Sequence, residues 1–107
     1  MKKITIKHEG KSIGLSYTRK SAKVMEQNGF MFEQVFDKPN TYVPMLFQGS
    51  FLAEASYMSP KTIDEIWENL PNKEELIGKL MEMYADTLND LLSTTGDEKN
   101  STWEASW

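Results

Sequence analysis

A chain of 107 residues, 39% hydrophobic and 26% charged, has the bulk for one hydrophobic core and the balance of an ordered globular domain, which excludes wholesale disorder. With no cysteine it can form neither disulfides nor thiolate metal sites, a composition that fits a reducing cytoplasm. Its net charge of −4 is uneven: residues 1–58 hold eight Lys/Arg against five Asp/Glu, residues 59–107 four against eleven, and an acidic second half argues against nucleic-acid binding.

The N-terminus has the positive start of a signal peptide without the apolar run that should follow. The longest nearly apolar stretch, Tyr42 to Met58, contains Pro44, Gln48 and Glu54 and is too short and polar to span a bilayer. These features lead us to expect a soluble, intracellular protein with no membrane partner.

Residues Lys2–His8 and Ser12–Tyr17 alternate apolar and polar side chains around Glu9-Gly10-Lys11, the pattern of a β-hairpin over residues 2–17. A lone hairpin is marginal in water, so its apolar face must rest on the helices that follow. Thr18 is an N-cap candidate for a helix over about 19–28, with Tyr17 placed to staple onto Ala22 and Gly29 at the left-handed C′ position. Phe30, Phe32, Val35 and Phe36 form an apolar cluster on an irregular or single-turn segment, and Asp37-Lys38-Pro39-Asn40 is a turn signal.

Thr41 is the expected cap of a central helix over 42–58, with Pro44 in its first turn and apolar residues on most sides. Gly49 and Ala53, four apart, would let another helix approach closely. Ser59-Pro60 starts a helix over 60–70, with Ile63, Ile66, Trp67 and Leu70 on one stripe. Asn72 and Glu75 resemble a capping box for the last helix, 73–93, whose stripe runs from Leu76 through Leu80, Met83, Tyr84 and Leu88 to Leu91 and Leu92. From Thr94 the sequence turns polar, so 94–107 reads as a flexible acidic tail on a 1–93 globular domain. The expected fold is α+β, mainly helical: a two-stranded hairpin packed on about four helices.

No catalytic constellation stands out. His8 is the only histidine and sits near the hairpin turn, no phosphate loop is present, and the carboxylates fall on polar helix faces. We expect no enzyme, no cofactor and no metal.

The order of a hairpin, YTRKSAKVMEQNGF, DKPNTYVPMLFQGSFLAEA, NKEELIGKLMEMYADTLNDLL and a WEASW end resembles a family of small tail assembly chaperones from phages and prophages of Gram-positive bacteria. The resemblance implies a non-catalytic protein of the host cytoplasm, absent from the finished virion. It would bind the long, helical tape measure protein and help recruit the major tail protein as the tube grows. The residues also leave open a structural or connector protein of the virion, or a small regulatory protein that binds a host factor.

No family motif marks a binding surface. Phe47, Phe51, Met81 and Met83 are the candidates for a groove between the central and last helices that takes apolar helical segments, with burial in the core as the competing reading. Trp103 and Trp107 either fold back, dangle, or form a short docking segment. Any apolar face left open in a monomer would favour a homo-oligomer.

Overall fold

The structure is a computed structural model describing residues 2–92 and 104–107; the tail expected from Thr94 lies mostly outside them. Strands β1 (Ile4–His8) and β2 (Lys11–Leu15) pair antiparallel, with Ile4 opposite Leu15 and Ile6 opposite Ile13. The turn is shorter than expected, because Lys11 pairs with His8 and leaves only Glu9 and Gly10 between the strands. Both have positive φ (51° and 79°), the backbone whose twist matches that of the paired strands. Ile6, Ile13, Leu15 and Tyr17 are buried, so the hairpin lies on the helices by one face.

Helix α1 (Arg19–Gln27) opens on a capping box: the Ser21 N–H donates to Thr18 Oγ1 at 3.0 Å and the Thr18 N–H to Ser21 Oγ at 2.9 Å. It closes on Gly29 (φ 97°), where the Phe30 N–H reaches the Met25 carbonyl and the Gly29 N–H that of Glu26. That pair of bonds is a Schellman motif, and it turns Phe30 into the core. A single 3-10 turn, Phe32–Gln34, then buries Val35.

Helix α2 (Pro39–Gly49) departs from the expected 42–58 at both ends. Lys38, not Thr41, is the N-cap; Pro39 takes the first position, and Pro44 lies inside the helix. The helix also stops nine residues early. Gly49 and Ser50 are where the chain leaves α-geometry: the Ser50, Phe51 and Leu52 N–H groups each bond three residues back, and residues 51–54 continue as turns. The hairpin's exit strand takes up backbone acceptors there. Tyr17 Oη donates to the Leu46 carbonyl at 2.6 Å and the Ser16 N–H to the Ser50 carbonyl at 3.0 Å. Carbonyls left open at a helix end need such partners. The turns still return Phe51 and Ala55 to the core, while Leu52, Ala53 and Tyr57 are exposed.

Helix α3 (Pro60–Asn69) begins at Ser59, whose hydroxyl accepts the Thr62 N–H, and buries Ile63 and Ile66. Helix α4 (Lys73–Leu92) follows an Asn72 of positive φ (53°). At that junction the Leu76 N–H bonds the Asn72 carbonyl and Lys73 Nζ the Leu70 carbonyl. α1 and α2 both pack on α4, and α3 packs on α2. Around Tyr84 the rings of Phe30, Phe32 and Tyr17 lie with centroids 5.1, 5.1 and 5.4 Å away. At the surface, Lys2 Nζ joins the hairpin to α4 through Glu82 (2.8 Å) and Asp86 (3.2 Å); these carboxylates raise the Lys2 pKa, and Lys2 lowers that of Glu82. This pair is solvent-exposed and adds little to stability.

Candidate functional site

Three of the expected groove residues are core. Phe47, Phe51 and Met83 are 2%, 1% and 5% exposed, and Phe47 lies between Phe51 (5.2 Å) and Trp67 (4.9 Å), with Lys73 Nζ 5.7 Å from the Trp67 ring. Met81 is partly buried against the same core. The expected open groove between central and last helices is thus filled, because α2 packs directly on α4 and the early end of α2 folds Phe51 back beneath it. Trp103 lies outside the described residues. Trp107 is fully exposed, on a segment without regular secondary structure.

Apolar side chains stand open elsewhere: Phe36 and Tyr57 on separate turn segments, and a row on one helix at the C-terminal end of α4. Its stripe is buried through Leu80, Met83, Tyr84 and Thr87, after which Leu88 (37%), Leu91 (59%) and Leu92 (85%) emerge into solvent. The side chains that α1 brings beside Leu88 and Leu91 explain the change: Arg19, Lys20, Lys23 and Glu26 are charged and Ala22 is short, so this end of the stripe is not covered by bulky apolar groups. Periodicity marked these leucines as part of the core stripe, and periodicity alone cannot say which side chains arrive to cover them.

A cleft runs between α1 and this end of α4. Its floor is Ala22, Leu88 and Leu91, and its α1 wall is Arg19, Lys20 and Lys23, with Glu26 at the far end. A second cleft continues from it past Thr18 towards Lys2 and Asp86, sharing Arg19 and Thr87. The clefts offer apolar contact and charge and carry no nucleophile–base pair. Among the described residues no group of three or more His, Cys, Asp or Glu side chains could hold a metal ion. His8 sits at the hairpin, 3.8 Å from Glu9, and lines neither cleft. No helix among the described residues is long and apolar enough to cross a membrane.

Two phenols beneath the clefts have altered acidity. Burial, then the charge of Glu26, pushes the Tyr84 pKa up to about 12, and burial raises that of Tyr17 well above 10. An unfolded tyrosine ionises near 10, so between pH 10 and 12 the unfolded chain has lost protons that the folded chain retains. Stability is therefore full below pH 10 and falls as pH rises through that window. Urea midpoints measured from pH 8 to 11.5 should show the decline, and Tyr84→Phe should flatten it; an unchanged slope in that variant would remove Tyr84 as its source.

The geometry defines a small α+β domain, a hairpin followed by four helices, with a cleft of apolar and basic side chains between α1 and α4. The family model described as Domain of unknown function (DUF5055) matches residues 1–107, and the chain belongs to that family. No curated protein and no solved structure matches it significantly.

Proposed function

We propose that the protein is a non-catalytic phage tail assembly chaperone that holds apolar helical segments of the tape measure protein in the host cytoplasm, assists tube assembly, and is left out of the virion. The order of segments supports the family reading. The observation that carries the binding role is the exposed row Leu88, Leu91 and Leu92, of which Leu88 and Leu91 line the α1–α4 cleft. An amphipathic helix laid there would extend the packing that α4 already makes with α1, the helix-in-groove mode of recognition. A row of exposed leucines in a chain of this size marks an interaction surface more than a random residue of burial.

Co-expression with tape measure fragments tests the reading. Wild-type protein should keep a fragment soluble and co-purify with it, whereas Leu91→Asp/Leu92→Asp should lose the complex with only a small drop in the urea midpoint, since these side chains are 59% and 85% exposed. A complex that survives this double variant would place binding elsewhere. Mass spectrometry of purified virions separates a chaperone, which should be missing, from a connector protein, which should be present.

A further inference from the structure

We infer that the α1–α4 cleft selects helical segments whose apolar stripe is flanked by carboxylates, a choice of partner chemistry that rests on the binding role proposed above. Arg19, Lys20 and Lys23 line one wall beside the Ala22, Leu88 and Leu91 floor. All three are exposed, and among the described residues none of their side chains makes an ion pair or hydrogen bond. They also occupy the first turn and a half of α1, where the helix dipole adds positive potential instead of offsetting it.

The carboxylates near the cleft do not cancel this wall. Asp86 faces the neighbouring cleft and is held by Lys2 at 3.2 Å, and Glu26 lies at the opposite end of α1, 3.4 Å from the Tyr84 hydroxyl. Asp90, which lines the neighbouring cleft with Arg19, has an interaction of its own. A helix seated on the leucines therefore lays one flank against three cations. Carboxylates on that flank gain charge-assisted contacts, while amines meet like charge. The sign of the preference is informative, because a chain of net charge −4 would otherwise repel an acidic ligand.

Two stapled peptides of about 18 residues, long enough to hold a helix, provide the test: they share one leucine stripe and carry either Glu or Lys along its flank. Fluorescence anisotropy with the full chain at low salt should show the Glu peptide binding about tenfold tighter, with the gap closing as ionic strength screens the contacts. Arg19→Glu/Lys23→Glu should reverse the order, and Leu91→Asp should abolish both. Equal binding of the two peptides, both lost in Leu91→Asp, would overturn the charge selection and leave the apolar binding role standing. No binding of either would overturn both. Leu91-dependent binding to anionic phosphatidylserine vesicles without peptide binding would overturn it in favour of a lipid surface. Dimerisation that Leu91→Asp abolishes and the Glu peptide cannot displace would assign the cleft to a second copy.

Discussion

Tyr84→Ala is expected to lower stability by about 3–5 kcal/mol, the range for removing a large aromatic side chain from a packed interior. The ring is 1% exposed and is the common neighbour of Tyr17, Phe30 and Phe32, which come from the hairpin exit, the end of α1 and the 3-10 turn. Its loss opens a cavity where those segments meet α4, and no one of them can collapse into it without leaving the others. A small domain commonly has only about 5–15 kcal/mol in total, so the variant should unfold at a much lower urea concentration, with a similar m-value. Tyr84→Phe keeps the ring and gives up one long hydroxyl contact, 3.4 Å from Glu26, so at pH 7 it should remain close to wild type. A Tyr84→Ala midpoint within experimental error of wild type would contradict this account of the core.

Gly49→Ala should destabilise the protein even though alanine is the better helix former. A Cβ at Gly49 would lie 2.5 Å from Met25 Cε and 2.8 Å from Met25 Cγ, and closer still to its sulfur. Met25 is itself buried, so moving it displaces packed neighbours. Overpacking of this kind costs about 1–3 kcal/mol, against about 1 kcal/mol gained from propensity, and we expect a net loss. Gly78 in α4 is the internal control: it is exposed with nothing within 4 Å of its would-be Cβ, so Gly78→Ala should stabilise by a few tenths to about 1 kcal/mol. Adding Met25→Ala to Gly49→Ala should recover part of the loss beyond additivity, and a double-mutant cycle measures that coupling. Strict additivity would show that the two side chains do not compete for one space.

The contrast between these glycines shows what could be read from sequence. A close approach at Gly49 was legible from its place in an apolar segment, but the neighbour was not, and Ala53, paired with it by spacing, is exposed. The candidate site was legible only in part. Met and aromatic side chains were the right currency for a core, so Phe47, Phe51 and Met83 pack there. The binding surface we propose falls instead to leucines that share their periodicity with buried ones.

Sequence by itself determined the parts that depend on neighbours in the chain. The hairpin follows from alternation around Glu9-Gly10, the ends of α1 from Thr18 and Gly29, and the start of α3 from Ser59-Pro60. Each of these is a local matter of backbone φ, a side-chain cap or a period of two or 3.6. Only the tertiary structure decided where α2 ends and where the stripe of α4 stops being buried. The first depends on Tyr17 and Ser16 meeting the carbonyls of Leu46 and Ser50. The second depends on α1 bringing Arg19, Lys20, Lys23 and the short Ala22, not bulky apolar side chains, beside Leu88 and Leu91. Both are set by contacts between segments distant in sequence, and an apolar residue carries the same signal whether or not such a segment arrives to cover it.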